Sequence, residues 1–129
     1  MHIEHIAIWT KQLETLKDFY VKYFNAVPNE KYINPKKGFS SYFLSFGDGC
    51  RLEIMEKASI PLNINNPYDE YTGLIHFAMS VGSKEKVDEM TEIFRKDGFE
   101  IVGEPRTTGD GYYESVILDP DKNRIEITN

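Results

Sequence analysis

Two histidines and two glutamates recur at matching places in the two halves of the sequence. His76 lies 71 residues after His5, and Glu126 lies 73 residues after Glu53. Two imidazoles and two carboxylates form a nitrogen and oxygen donor set that suits divalent Ni, Co, Zn, Fe or Mn better than Cu(I). Any one of these residues alone is more often structural than functional. Their recurrence as a set predicts one divalent metal ion per chain.

The four candidates lie in runs whose apolar residues alternate as they do in β-strands. In the run 124–128, Glu126 lies between Ile125 and Ile127. Because successive side chains of a strand point to opposite faces, Glu126 is expected opposite the core. The same alternation applies to the other three candidates, His5, Glu53 and His76. The sequence therefore places all four on sheet faces that do not carry the aliphatic rows.

Apolar residues at helical spacing predict one helix in each half of the chain. The first helix begins at Leu13, with Thr10 as its N-cap and Pro28 beyond its end. The second helix is capped by Ser83 and stopped by Gly98. Each helix has an apolar stripe, so each is expected to cover one face of a sheet.

Each half then reads as a strand, a helix and further strands that end in a hairpin, which predicts two copies of a βαβββ unit. We expect a single domain built from module 1–57 and module 74–129, joined by linker 58–73. The proline, aspartate and asparagine residues of 119–123 predict the final hairpin turn. The remaining segments are predicted as loops at 29–37 and 107–111, a short strand at 99–102, and a hairpin strand at 115–118.

Composition and charge limit the classes of function. With 129 residues and 40% apolar content, the chain can form one ordinary globular domain. A net charge of −6 argues against nucleic acid or an anionic membrane as the main partner, so we expect a small-molecule substrate. The lone Cys50 and the absence of a signal-like start predict a cytoplasmic protein, and Cys50 has little support as a nucleophile.

Three segments carry a resemblance to a known family: HIAI at 5–8, HFAMSV at 76–81 and DPDKNRIE at 119–126. With the paired βαβββ modules, they make the chain resemble the vicinal oxygen chelate superfamily of glyoxalase I, bleomycin-resistance proteins and extradiol dioxygenases. It is most similar to glyoxalase I-like proteins. The resemblance implies an α+β fold in which the modules form an open, cup-shaped mixed sheet with helices outside. It also implies ligands at His5, Glu53, His76 and Glu126, and a homodimer with shared sites.

The resemblance implies an activity similar to that of lactoylglutathione lyase. That reaction isomerises the hemithioacetal of methylglyoxal and a thiol into a 2-hydroxyacyl thioester. Glu126 is the expected base, with Glu53 as its counterpart. Trp9 and Lys57 stand where glutathione-dependent relatives carry an arginine and another polar residue. We therefore expect these two residues to line the substrate site, and the thiol to differ from glutathione.

Other members of the superfamily define the alternatives. Bleomycin-resistance proteins sequester a small molecule and do not need a set of two histidines and two glutamates. Extradiol dioxygenases use two histidines and one glutamate, and methylmalonyl-CoA epimerases resemble this pattern with glutamine at the position of Glu53. The sequence leaves a sequestering protein, a dioxygenase and an epimerase open beside the isomerase.

Overall fold

The computed structural model describes residues 1–129 and contains two helices and nine strands. The chain divides into two compact units, Met1–Ile64 and Asn65–Asn129. In chain order the elements are β1 (His5–Thr10), α1 (Leu13–Phe24), β2 (Val27–Pro28), β3 (Tyr32–Asn34), β4 (Phe39–Ser45), β5 (Arg51–Lys57), β6 (His76–Ser80), α2 (Lys84–Lys96), β7 (Ile101–Thr107), β8 (Tyr113–Leu118) and β9 (Arg124–Thr128).

The first unit contains a mixed sheet with strand order β1-β5-β4-β2, and β3 also pairs with β4. Strands β1 and β5 are parallel, whereas β4 is antiparallel to β5, β2 and β3. Helix α1 packs against β4 and β5. The buried core of this unit consists of Leu13, Leu16, Phe19 and Tyr20 from α1, together with Ala26, Leu44, Leu52 and Ile54.

The second unit contains a four-stranded mixed sheet with order β6-β9-β8-β7. Strands β6 and β9 are parallel, and β9-β8-β7 form an antiparallel meander. Helix α2 packs against the meander and buries Val87, Met90 and Phe94. The strand residues of this core are Ile117, Leu118, Ile125 and Ile127. The predicted α+β class, with open mixed sheets and one helix per module, is confirmed.

The prediction that 29–37 is a loop is wrong. Residues 32–34 form β3, and Val27 and Pro28 form β2, both along the outer edge of β4. Tyr32 and Ile33 are exposed, so this stretch lacks the alternating burial by which a strand is recognised in sequence. Backbone hydrogen bonds to β4 hold these short strands in place. Between β2 and β3, the amide of Asn29 also donates to the carbonyl of Phe43 on β4.

Strand β7 was also predicted wrongly. It runs from Ile101 to Thr107, so the expected strand at 99–102 ends too early, and the expected loop at 107–111 begins one residue early. Pro105 lies inside this strand. A proline is tolerated because β7 is an edge strand, where one backbone N–H has no partner to donate to. The pairing with β8 also shifts register on both sides of Gly103.

Three of the four residues predicted to mark the helix ends have the expected positions in the structure. The hydroxyl of Ser83 accepts a hydrogen bond from the amide of Lys86, as a capping serine should, and Gly98 has the positive φ of a helix stop. Pro28 does lie beyond α1. Thr10 is not the N-cap, however. Gln12 holds that position, and the Thr10 hydroxyl instead accepts from the Gln12 amide at 2.9 Å.

The hairpin turn at 119–123 follows the prediction from its side chains. Buried Asp119 accepts hydrogen bonds from the amides of Asp121 and Asn123, and also from the Asn123 side chain. These bonds fix the position at which β9 begins.

The structure has no helix or strand between Lys57 and His76, and the module and linker boundaries stay a prediction. Neither helix combines the length and apolar composition needed to cross a lipid bilayer.

Two buried hydroxyls connect α2 to β8. The Thr91 hydroxyl donates to the carbonyl of Val87 at 2.7 Å, so its oxygen accepts from the hydroxyl of Ser115, also at 2.7 Å. Both side chains are fully buried. Neither can recover a lost partner from bulk water.

We expect Thr91→Val to lower the free energy of unfolding by about 1–3 kcal/mol, because it leaves the Ser115 hydroxyl buried without an acceptor. Ser115→Ala should cost less, since Thr91 keeps its bond to Val87. The double variant should therefore be more stable than Thr91→Val alone when chemical denaturation is measured. A double variant that loses the sum of the two single effects would show that the two hydroxyls are not coupled.

Candidate functional site

The first pair of candidate residues lies on the parallel strands β1 and β5. His5 is the first residue of β1, two positions before Ala7, which is the register partner of Glu53. The Nε2 atom of His5 lies 3.9 Å from Oε2 of Glu53. Leu52 and Ile54 on either side of Glu53 are buried in the core. The strand alternation therefore holds Glu53 on the opposite face, as predicted.

The second pair repeats this geometry on β6 and β9. His76 begins β6, two positions before Ala78, which is the register partner of Glu126. Its Nε2 lies 3.3 Å from Oε2 of Glu126. The side chains of His76 and His5 are 40% and 39% exposed, while both glutamates are 15% exposed. The two pairs are thus equivalent in register, burial and face.

The spacing within the second pair fits two ligands of one metal ion. Two donor atoms at about 2.1 Å from an ion lie about 3.0–3.4 Å apart when they subtend about 90–109° at it. The 3.3 Å of His76–Glu126 falls in this range, and the 3.9 Å of His5–Glu53 is slightly longer. No group of three or more His, Cys, Asp or Glu side chains in the chain is arranged to hold a metal. We call each of the two histidine–glutamate pairs a half-site.

Aromatic side chains lie on the face of the sheet that carries the first pair. The ring of Phe43 stands edge-on to His5, with centroids 5.2 Å apart. Further along the same face, Phe39 contacts both Trp9 and Tyr32 with centroid separations of 6.0 Å. Trp9 is 42% exposed. We call Trp9, Tyr32 and Phe39 the aromatic patch. It gives the first half-site an apolar neighbourhood.

Lys57 also lies on the side of the sheet that carries Glu53. It is the register partner of Phe39, four residues beyond Glu53 on β5, and this even spacing keeps both side chains on one face. The backbone carbonyl of Lys57 accepts a hydrogen bond from the Lys11 ammonium at 3.3 Å. Trp9 and Lys57, both predicted to line the substrate site, therefore lie on the same face as His5 and Glu53, each four residues further along its strand.

Glu114 adds a third titratable group beside the second pair. It is buried at 8% exposure and forms an ion pair with Arg106 at 3.1 Å. Burial raises the pKa of Glu126, and the nearby Glu114 carboxylate raises that pKa further, whereas His76 and Arg106 oppose the shift. Glu114 is not among the candidates predicted from the sequence, because the strand was expected to begin at Ser115, whereas β8 begins at Tyr113.

Glu4 was missed as well, and it contacts the other ring nitrogen of His5. Its Oε2 is hydrogen-bonded to His5 Nδ1, and its Oε1 is bonded to the Arg51 guanidinium. The hydrogen bond from His5 is the main reason why the pKa of Glu4 is lowered, and Arg51 contributes to the same shift. An acidic residue directly before a candidate ligand histidine was the sequence signal.

Comparison with known proteins identifies relatives that share the fold of this chain. A glyoxalase family protein from Enterococcus faecalis is 26% identical, with a TM-score of 0.78 over 99% of this chain and 97% of that one. The trypanothione-dependent glyoxalase I of Leishmania major shares the fold at 20% identity and a TM-score of 0.77, over 100% and 86% of the chains. The uncharacterized protein YqjT of Bacillus subtilis is 24% identical, over 97% of this chain and 96% of its own.

A family model described as the Glyoxalase/Bleomycin resistance protein/Dioxygenase superfamily matches residues 2–127. That match includes both histidine–glutamate pairs and every helix and strand except the last residue of β9. The chain therefore belongs to the Glyoxalase/Bleomycin resistance protein/Dioxygenase superfamily.

Proposed function

We propose that the protein is a metal-dependent isomerase or lyase of the glyoxalase type, acting on a small substrate with oxygen atoms on adjacent carbons. The observation that carries the proposal is the pair of equivalent half-sites, each with a histidine nitrogen within 4 Å of a glutamate oxygen on a solvent-accessible face. The superfamily includes glyoxalase I enzymes, which supports the reaction class.

The ligands in this proposal are His5, Glu53, His76 and Glu126, and the ion is one divalent Ni, Zn, Co, Fe or Mn per chain. Such an ion supplies Lewis acidity, which stabilises negative charge on the adjacent substrate oxygens. Two nitrogen and two oxygen ligands leave room for substrate if the ion takes five or six ligands. The protein's own contribution is to hold the donors on rigid strands and to move a proton.

Glu126 is the residue that we assign to proton transfer. Burial and Glu114 raise its pKa, which makes its carboxylate a stronger base for a carbon-bound proton. In the first module the position equivalent to Glu114 is Ser41, since Ser41 pairs with Met55 as Glu114 pairs with Thr128. Glu53 thus has no carboxylate at this neighbouring position. We infer that Glu126 removes the proton and returns it to the adjacent carbon, while Glu53 has the lesser role.

The aromatic patch supports a substrate with an apolar or aromatic substituent. Trp9 presents an exposed indole beside Phe39 on the face that holds His5 and Glu53. Lys57 provides a cation at the same end of the sheet. The glyoxalase I of Leishmania major, which shares the fold, is described as trypanothione-dependent, which supports a thiol other than glutathione. We propose a thiol other than glutathione, or a substrate that carries its own apolar group.

The half-sites also support a homodimer with shared sites. Each module supplies two donors, whereas a metal site in a protein typically needs at least three protein ligands. We propose that His5 and Glu53 of one chain and His76 and Glu126 of a partner chain complete one site. A cytoplasmic location, with no nucleic acid or membrane partner, remains part of the proposal.

A second candidate function is sequestration of a small molecule, as in the bleomycin-resistance members of the superfamily. The exposed aromatic patch favours it, because such a surface can hold a planar ligand without any chemistry. A sequestering protein does not need the metal or the base, so metal analysis and turnover separate the two functions.

We expect purified, metal-supplemented protein to hold about one divalent ion per chain by elemental analysis, because each chain supplies four donors in total. His76→Ala should remove most of this metal, since it deletes one nitrogen ligand. His2→Ala is the matched control and should change nothing, as His2 precedes β1 and is exposed. Substoichiometric metal that His76→Ala does not reduce would contradict the proposed ligand set.

We expect Glu126→Gln to lower turnover by at least about 10²-fold while the protein stays folded, because the amide keeps the side-chain shape but cannot accept the proton. The assay should combine methylglyoxal with several thiols, and glutathione should be weak. Glu56, which follows Met55 on β5, provides the control. Glu56→Gln should retain parental activity. A Glu126→Gln rate within a few-fold of the parent would remove Glu126 as the base.

Shared sites predict complementation between two inactive variants. One carries His5→Ala and Glu53→Gln, and the other carries His76→Ala and Glu126→Gln. Each mixed dimer contains one undamaged site, so refolding the two variants together at equal concentration should restore about a quarter of parental activity. If each site lies within one chain, every site is damaged. A dimeric protein that shows no recovered activity or metal binding would defeat the shared-site proposal.

A further inference from the structure

The imidazole of His5 is held from three sides. Glu4 contacts its Nδ1 atom, and the ring of Phe43 packs edge-on against it with an interplanar angle of 84°. The third contact is to Glu53, 3.9 Å from Nε2. The ring therefore has two distinct ends, one facing an orienting carboxylate and the other facing the proposed partner ligand.

The position of Glu4 is itself fixed by Arg51. The amide of Arg51 donates to the Glu4 carbonyl at 3.1 Å, and the Arg51 guanidinium bonds to the Glu4 carboxylate. The same guanidinium lies over the ring of Phe43, 4.3 Å from its centroid. Arg51 thus contacts both of the groups that hold His5, so the orientation of the imidazole does not depend on a single exposed side chain.

His76 lacks this support, although its backbone setting is the same. Arg124 is its register partner, as Arg51 is the partner of His5. The Arg124 guanidinium, however, donates to the carbonyls of Pro67 and Asp69. The residue before His76 is Ile75, whose side chain has no hydrogen-bond acceptor. The two half-sites are therefore alike in their ligands and different in what orients the histidine.

We propose that Glu4 is a positioning residue that holds His5 as the Nδ1–H tautomer and so leaves Nε2 free to bind the metal. A neutral imidazole has one N–H, and an ionised carboxylate can only accept, so the contact with Glu4 places the hydrogen on Nδ1. The inference rests on the proposed function, because that function supplies the metal ion that Nε2 would bind. Carboxylates in this role fix the ring and increase its basicity, and their loss commonly lowers metal affinity by about 10–100-fold.

The first test is made on the metal-free protein and does not depend on metal binding. Nitrogen NMR of ¹⁵N-histidine-labelled protein, at a pH where the imidazoles are neutral, distinguishes the two tautomers. We expect His5 in the parent to be the Nδ1–H form and to become a mixture in Glu4→Ala. His76 provides an internal reference whose signals should not change. Unchanged His5 signals in Glu4→Ala would overturn the proposal.

The second test measures metal affinity by titration. Glu4→Ala should weaken binding by about 10–100-fold, whereas Ile75→Ala, at the equivalent position before His76, should change it by less than about threefold. Glu4→Asp should recover part of the loss. Equal affinities in the parent and in Glu4→Ala would overturn the positioning role. A parent that binds no metal would instead defeat the proposed function, and the tautomer measurement would still decide whether Glu4 orients His5.

Discussion

The parallel pairing of β1 with β5, and of β6 with β9, is the constraint on which the rest of the candidate site depends. In each pair, one face of the second strand carries a row of buried aliphatic side chains, such as Ile125 and Ile127 of β9. A slip of one residue would turn that row to solvent and bury the glutamate without a partner, which costs several kcal/mol. The hydrophobic core therefore fixes the register, and the register places histidine and glutamate side by side.

The same register in both modules gives the two half-sites one geometry, but their electrostatics differ. Glu126 has Glu114 nearby and is driven toward its neutral form, while Glu53 has Ser41 at the equivalent position. Conversely, His5 is oriented by Glu4, and His76 is preceded by Ile75. The first module thus has the oriented histidine and the aromatic patch, and the second has the carboxyl group with the raised pKa.

The strands that the sequence did not predict correctly are short or contain a proline. Strands β2, β3 and β7 lie along the sheet edges and are stabilised by backbone bonds to a neighbour rather than by a buried apolar row. Strands β2 and β3 have only two and three residues, and β7 contains Pro105, so periodicity could not identify them. Central strands were located well because both the alternation and the turn chemistry pointed to the same register. The start of β8 was placed two residues late, and this error concealed Glu114.

The sequence by itself determined the family resemblance, the two modules, the helices and the four candidate ligands, because these follow from local periods and from spacings that recur along the chain. It also indicated which face each ligand occupies, since alternation along a strand is a local property. Only the tertiary structure decided which groups modify those ligands. Glu114 affects Glu126 across two hydrogen-bonded strands, and Arg51 holds Glu4 from a strand 47 residues away. Such contacts depend on the pairing of distant segments, which no local pattern specifies.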